Sequence, residues 1–277
     1  MSSPPPRPSN YGFKTLLFGA TGSGKTKSIE TLAAAGLEVF IVFTENGMAT
    51  LRETDPARVH WRYLPAAPSN FQDLAAMALN INTLTQKQLA NMTDPKRGQY
   101  RQYIDMLTAL TNYKCDRTGK EFGPVDKFGQ DRVVVFDSLS GAALAALNLV
   151  TGSTPLRSKS EWGMSMDALE RFVVAGCMSI QCPFVLIAHE TRHTDEETGA
   201  FQGISVAAPG QKLAPKIPLY FDDVIYTFRR SKEWLWSTNY PGVTDLKSRH
   251  LGIFDAAPPS FAPLVAEWRK QVAAPTA

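Results

Sequence analysis

Eight consecutive residues near the start of the chain have the types and spacing of a phosphate-binding loop. They match Gly-x-x-x-x-Gly-Lys-[Ser/Thr] in full, and are Gly19, Ala20, Thr21, Gly22, Ser23, Gly24, Lys25 and Thr26. Glycines let backbone N–H groups turn inward around a polyphosphate, and the N-terminus of a following helix adds a favourable dipole. In such loops the lysine reaches the β- and γ-phosphates and the hydroxyl residue ligates Mg²⁺. The segment predicts binding of a nucleoside triphosphate with Mg²⁺.

The flanking sequence supplies the elements that this loop requires. An apolar run, FKTLLF at 13–18, predicts a buried strand directly before it. After the loop, Ile29, Leu32 and Ala33 form one helical face, and Gly36 fits a helix C-cap. A strand–loop–helix order is the context in which this motif is informative.

A second acidic motif follows much later in the chain. Residues 132–137, RVVVFD, form an apolar strand that ends in Asp137. This is the usual Walker B form, whose carboxylate holds Mg²⁺ through water. A strand that merely ends in Asp is the alternative, and the pairing with the phosphate-binding loop counts against it.

The remaining pattern predicts a mostly parallel α/β sheet flanked by helices with an antiparallel edge, because strands and helices alternate early and hairpin-like strands follow late. Predicted strands cover 38–44, 183–190, 223–230 and 233–238, and predicted helices cover 140–150 and 160–181. The stretch 69–113 shows helical spacing on both sides of a turn at 94–98. We interpret it as a helical pair inserted into the alternating pattern.

Composition excludes several classes of protein. The 277 residues are 44% hydrophobic and 20% charged, which is typical of a globular protein and not of a disordered or fibrous one. No apolar segment predicts a signal peptide or a membrane span. Three cysteines support neither a disulfide framework nor a zinc site, so we expect a reducing, cytoplasmic location.

Charge alone does not indicate nucleic acid. The 29 Lys and Arg exceed the 26 Asp and Glu by three, and residues 51–130 carry that surplus with 11 against 8. These residues either form a solvated helical pair or offer an extra surface for a nucleic-acid backbone and its bases.

The two phosphate-site motifs leave several enzyme classes open. A guanine-reading NKxD motif is absent from the sequence, which disfavours a GTPase. A small-molecule or nucleotide kinase would need a lid with several basic residues, for which the chain offers Arg97, Arg101, Arg117 and Lys120.

Together with Asp-Ser-Leu-Ser-Gly-Ala at 137–142, these motifs resemble the RecA-type ATPase core. The resemblance implies ATP as the nucleotide and Glu45, after the second strand, as the catalytic base; a solvated loop carboxylate is the alternative. It implies that His189 senses the γ-phosphate, where RecA has glutamine, although His189 could be an ordinary buried histidine. It also implies that Lys247 and Arg249, in Lys-Ser-Arg, reach a neighbouring protomer's nucleotide as a trans-acting finger. A solvated strand end is the alternative for these two residues.

RecA-type proteins bind single-stranded DNA through two loops, whose counterparts here are about 151–163 and 191–216. The basic candidates in them are Arg157, Lys159, Arg192, His193, Lys212 and Lys216. The resemblance covers residues 13–250, with a helical insertion at about 51–130. Residues 1–12 are expected to be a flexible tail, and 251–277 a C-terminal tail with a short helix.

A core that begins almost at the phosphate-binding loop resembles the minimal RecA-like single-strand annealing proteins of bacteriophages. The leading hypothesis is therefore a Mg²⁺–ATP-dependent phage recombination protein that binds and anneals single-stranded DNA as a homo-oligomer. The alternatives are an ATPase motor or accessory factor for replication, helicase loading or packaging, and a small-molecule or nucleotide kinase.

Overall fold

The computed structural model describes residues 11–66, 70–91, 97–152, 154, 158–210 and 212–273. Its strands are β1 (Lys14–Gly19), β2 (Glu38–Phe43), β3 (Val59–Tyr63), β4 (Tyr113–Lys114), β5 (Glu121–Gly123), β6 (Arg132–Asp137), β7 (Phe184–Thr194), β8 (Phe201–Val206), β9 (Asp223–Arg230), β10 (Glu233–Ser237) and β11 (Lys247–Ser248). Its α-helices are α1 (Lys25–Ser28), α2 (Glu30–Ala34), α3 (Phe71–Thr83), α4 (Gln86–Ala90), α5 (Gln102–Thr111), α6 (Leu139–Thr151), α7 (Lys159–Met178) and α8 (Ala262–Ala273).

One large sheet organises the described residues, with strand order β10-β9-β1-β7-β6-β2-β3. The six strands from β9 to β3 are parallel to one another. β10 and β11 pair antiparallel with β9, and β8 pairs antiparallel with the end of β7. The predicted fold class, a mostly parallel α/β sheet flanked by helices with an antiparallel edge, is confirmed.

The sheet is buried on both faces because successive side chains of its central strands enter two different apolar clusters. Leu16 belongs to the cluster beneath α5, α6 and α7. Leu17, the next residue, belongs to the cluster that Ile29 and Leu32 form beneath α1, α2 and α8. This layering buries β1 on both faces and so holds the loop that follows it.

The range 51–130, predicted to be a helical insertion, also contains the strands β3, β4 and β5. Residues 59–63 form β3, which pairs parallel with β2 and extends the main sheet. α5 also packs on the core through Tyr103 and Met106, whereas α3 buries none of its side chains. Part of this range therefore completes the sheet. The five residues of β3 form a strand because they pair with β2 beside them.

The C-terminal segment packs against the core. Phe261, Leu264 and Trp268 are buried, and Trp268 lies edge-on to Phe13 at 5.4 Å between ring centroids. The tail predicted at 1–12 falls mostly outside the described residues. Among the described helices, none combines the length and the apolar character needed to cross a lipid bilayer.

Candidate functional site

The phosphate-binding loop folds as its glycines require. β1 ends at Gly19, and α1 begins at Lys25. Gly22 and Gly24 have φ angles of 76° and 87°, in the left-handed region that side chains disfavour. The intervening Ser23 donates its backbone N–H to the carbonyl of Ala20. The loop therefore wraps the helix N-terminus, and this geometry is that of a P-loop.

Lys25 folds back over this loop. Its ammonium donates to the carbonyls of Gly19 at 2.8 Å and Ala20 at 2.7 Å. The side chain is buried, and this burial lowers the pKa of Lys25, although Asp137 and other carboxylates oppose the effect. A cation held at the mouth of the loop is placed to meet a polyphosphate.

Thr26 and Asp137 face each other although 111 residues separate them. The Thr26 hydroxyl donates to Oδ2 of Asp137 at 2.7 Å. Burial raises the pKa of Asp137 to about 6, and the hydrogen bond from Thr26 opposes that shift. A hydroxyl and a carboxylate are the hard oxygen donors that Mg²⁺ takes in nucleotide sites. These two residues fit the predicted metal, and a bound cation would favour the ionised form of Asp137.

Glu45 lies in the same cavity, between two partners. Its Oε1 accepts a hydrogen bond from the Ser138 hydroxyl, and its Oε2 is 3.2 Å from Nε2 of His189. The hydrogen bond with His189 is the main cause that lowers the pKa of Glu45, and Ser138 and Lys25 add to it. Glu45 is therefore a held, ionised carboxylate and not a freely solvated one.

Sheet register explains why these three side chains meet. β2, β6 and β7 are neighbours, and Phe43, Asp137 and Ile187 are level across them. Glu45 and His189 each lie two residues beyond this level, and Ser138 lies one residue beyond it. The carboxyl ends of parallel strands thus bring the group to one edge of the sheet, where α/β proteins bind ligands.

Ser138 also begins the next helix. Its hydroxyl accepts a hydrogen bond from the N–H of Gly141 and caps α6, and its own N–H donates to the Thr44 hydroxyl at 3.0 Å. The peptide bond between Asp137 and Ser138 is cis. Ser138 therefore joins the end of β6, the start of α6 and the Glu45 carboxylate.

A cavity of about 370 Å³ connects these groups. Its lining contains Lys25, Thr26, Glu45, Asp137 and His189 together with residues that we did not predict: Lys27, Asn46, Gly47, Thr50 and Trp234. Asn46 and Gly47 follow Glu45 directly and could have been inferred from it. Trp234 could not, because the alternation of EWLWST predicts a strand but not its neighbour.

The predicted finger residues lie elsewhere. Lys247 and Ser248 form β11, which pairs with Val224 and Asp223 at the beginning of β9. Gly19, at the mouth of the P-loop, is level with Thr227, which lies further along that strand toward its carboxyl end. Lys247 and Arg249 therefore lie near the amino ends of the parallel strands, whereas the cavity of the same chain lies at their carboxyl ends. A role in hydrolysis, which stays a prediction, requires the nucleotide of another protomer.

The second predicted DNA-binding loop is largely a hairpin. β7 continues past His189 to Thr194 and returns as β8, with Arg192 level with Ile204. Arg192 pairs with Glu190 at 2.8 Å, and His193 contacts the Ser205 hydroxyl at 2.7 Å. We call this element the β7–β8 hairpin. It projects directly from the strand that carries His189.

The other DNA-binding candidates are dispersed. Lys216 pairs with Glu170 at 3.1 Å, Lys212 is exposed, and Lys159 is the first residue of α7. Arg157 lies outside the described residues. A DNA-binding role for all six stays a prediction.

The basic residues considered for a kinase lid have other partners. Arg117 donates to the carbonyls of Val59 and Thr54 and lies over the Trp61 ring at 4.2 Å. Lys120 lies over Phe122 at 4.7 Å. Arg101, Arg117 and Lys120 do not line the cavity, and the Arg97 side chain is outside the described part of the chain. The described residues thus give a kinase lid no support.

Sheet order and loop geometry place the chain in the class of P-loop α/β proteins. No family model matches it, and no curated protein matches its sequence. Among solved structures, 38 chains match in fold. One is an ATPase from the type III secretion system of pathogenic bacteria, 10% identical, with a TM-score of 0.39 over 79% of this chain and 53% of that chain. The chain thus spans about half the length of that ATPase.

Proposed function

We propose that the protein is a Mg²⁺-dependent ATPase that binds single-stranded DNA and promotes annealing or recombination as a homo-oligomer. A phage origin is part of this proposal and is supported by the resemblance to minimal RecA-like annealing proteins of bacteriophages. The observation that carries the ATPase proposal is the position of Glu45. Its carboxylate lies in one cavity with Lys25, Thr26 and Asp137, and two hydrogen bonds hold it there. Phosphate-binding, metal-binding and basic groups therefore share one site.

The proposed role of each residue in ATP hydrolysis follows from the chemistry of its side chain. Lys25 and the P-loop N–H groups would bind the phosphates, and Thr26 and Asp137 would hold Mg²⁺, which would neutralise phosphate charge. Glu45, ionised, orients a water molecule and accepts its proton. Ser138 and His189 position that carboxylate. Hydrolysis by water needs no lid of basic residues over the site. Arg117 and Lys120, the residues considered for such a lid, contact other groups instead.

Lys25→Ala tests the ATPase proposal. It should abolish ATP binding or hydrolysis, because it removes the buried cation at the loop, and a phosphate-release assay measures the outcome. Lys270→Ala, which alters an exposed lysine of α8, is the matched control and should hydrolyse ATP as the wild type does. Unchanged hydrolysis by Lys25→Ala would contradict the proposal.

The DNA proposal is supported by the connection between His189 and the β7–β8 hairpin. The carbonyl of His189 accepts the N–H of Ala207 at 2.8 Å, directly after β8. A change at His189 on nucleotide binding would therefore be passed to the base of the hairpin that carries Arg192 and His193.

Fluorescence anisotropy with a labelled single-stranded oligonucleotide tests this proposal. Binding should require Mg²⁺–ATP and should fall with rising salt, because neutralised phosphates release counterions. Absence of binding at low salt, with and without ATP, would refute the annealing function. Strand separation, or stimulation of hydrolysis by double-stranded DNA alone, would indicate a motor instead. Phosphate transfer to an added nucleotide would indicate a kinase.

A further inference from the structure

Trp234 lies directly on the P-loop. β10 pairs with β9 so that Trp234 is level with Arg229 and Trp236 is level with Thr227. Level residues of paired strands point to the same face, and so do residues two apart along one strand. Thr227 marks that face, because its hydroxyl donates to the carbonyl of Ser23 in the P-loop at 2.7 Å.

The indole is in contact with loop backbone. A Cβ placed on Gly24 would come within 3.0 Å of Cγ and 3.2 Å of Cδ2 of Trp234. A larger residue at position 24 would therefore displace the ring. Glycine at position 24 therefore leaves room for the Trp234 ring and also adopts the positive φ angle that the turn requires.

Trp234 is also exposed where Trp236, on the same face of β10, is buried. It is 43% exposed, whereas Trp236, two residues on, is 1% exposed and packs on Phe261. Hydrophobic packing thus accounts for Trp236, whereas Trp234 stays partly exposed and lines the P-loop cavity.

The sheet order gives the cavity two chemically different ends. From the P-loop strand β1, the strands β7, β6 and β2 lie on one side and carry His189, Asp137 and Glu45. β9 and β10 lie on the other side and carry Trp234. The acid and metal-binding groups are thus at one end, and an aromatic surface is at the other.

We propose that the base of the bound nucleoside triphosphate stacks on the indole of Trp234. This inference rests on the proposed nucleotide binding and identifies the residue that recognises the nucleoside end of the ligand. A triphosphate held by the P-loop with its terminal phosphate toward Glu45 directs the nucleoside to the β10 side. A flat, partly exposed indole stacks on any base, since every base has a π-face.

The experiment compares a ligand that has a base with one that does not. Binding of Mg²⁺–ATP and of Mg²⁺–tripolyphosphate is measured by isothermal titration calorimetry on the full chain. Trp234→Ala should weaken ATP binding by about tenfold, the loss expected from one base–aromatic stack, and should leave tripolyphosphate binding within about twofold. Trp234→Phe should retain most of the ATP affinity, because it retains an aromatic face.

Phe71→Ala, which removes another exposed aromatic ring that does not line the cavity, is the matched control and should change neither affinity. Equal losses for both ligands in Trp234→Ala would show that the ring only supports the loop, and no loss for either would show that it makes no contact. Both results overturn the stacking proposal and leave the proposed function intact. A wild-type chain that binds neither ligand would overturn both.

Discussion

Glu45 and His189 are hydrogen bonded, with 3.2 Å between Oε2 and Nε2, although 144 residues separate them in the sequence. The bond lowers the pKa of Glu45 and so favours the ionised carboxylate. It also joins the end of β2 to the strand that continues as the β7–β8 hairpin. One contact therefore links the proposed base to the proposed DNA-binding element.

Glu45→Gln should bind ATP as the wild type does and lose turnover by at least ~10²-fold, because an amide keeps the shape but cannot accept a proton. Calorimetry measures the binding, and phosphate release measures turnover. Glu53→Gln, on an exposed turn, is the matched control. If hydrolysis survives in Glu45→Gln, the base is another group.

His189→Ala should uncouple DNA binding from ATP, because it removes the polar group between Glu45 and the hairpin. His189→Gln should preserve the coupling, since an amide can still hydrogen bond with Glu45. Anisotropy with labelled single-stranded DNA, with and without Mg²⁺–ATP, distinguishes the two variants. Equal ATP dependence in both would contradict the relay.

Arg249→Ala should lose hydrolysis by ~10³-fold or more if Arg249 acts as a finger in trans. Mixing it with Lys25→Ala protomers should restore part of the activity, because mixed interfaces combine an intact P-loop with an intact finger. Steady-state hydrolysis over a series of mixing ratios measures the effect. Normal hydrolysis by Arg249→Ala alone would rule out this role.

Gly141→Ala should destabilise the protein by about 1–3 kcal/mol through overpacking. A Cβ at Gly141 would lie 2.1 Å from the Thr44 hydroxyl, so α6 must move away from the site. Gly163→Ala is the matched control. Gly163 lies in a helix, and a Cβ added there would meet no atom within 4 Å, so the change should stabilise the protein by up to about 1 kcal/mol. Urea unfolding measures both; equal stabilities would contradict the close approach of α6.

His60 should make stability fall in mild acid. Burial lowers the pKa of His60 below its ordinary value of 6.5, Lys120 and Arg117 add to that shift, and Glu38 opposes it. The unfolded chain therefore takes up the proton first. The contribution of His60 is full above about pH 6.5 and is lost as the pH falls from there toward the folded pKa.

Unfolding free energies of the wild type and His60→Phe between pH 7.5 and 5.5 test this expectation. The variant should lose stability less steeply as the pH falls, whereas His193→Gln, which alters an exposed histidine, should keep the wild-type slope. A slope in His60→Phe as steep as that of the wild type would contradict it.

The sequence predicted well whatever depends on neighbouring residues. β6 and β9 have the bounds that apolar runs indicated, and Gly36 ends the helix after the P-loop with φ of 85°. β3 was missed, because VHWRY is short and only partly apolar, and its place is set by β2 beside it. The polar residues at 191–206 indicate a loop. They form strands in the structure because the two halves of this segment pair with each other as β7 and β8.

By itself the sequence determined the P-loop, its strand and helix, and the acid at the end of β6, because these follow from local spacing. Only the tertiary structure decided which distant residues share the site. Glu45, Ser138 and His189 meet because three parallel strands end at one edge, and Trp234 covers Gly24 because β10 pairs with β9 in one register. β11 pairs with the beginning of β9, and this pairing places Lys247 and Arg249 near the amino ends of the parallel strands, away from the cavity. The hydrophobic pattern of a strand decides which of its side chains face the core. Strand order, and the pairing of strands that are distant in the sequence, are properties of the folded sheet.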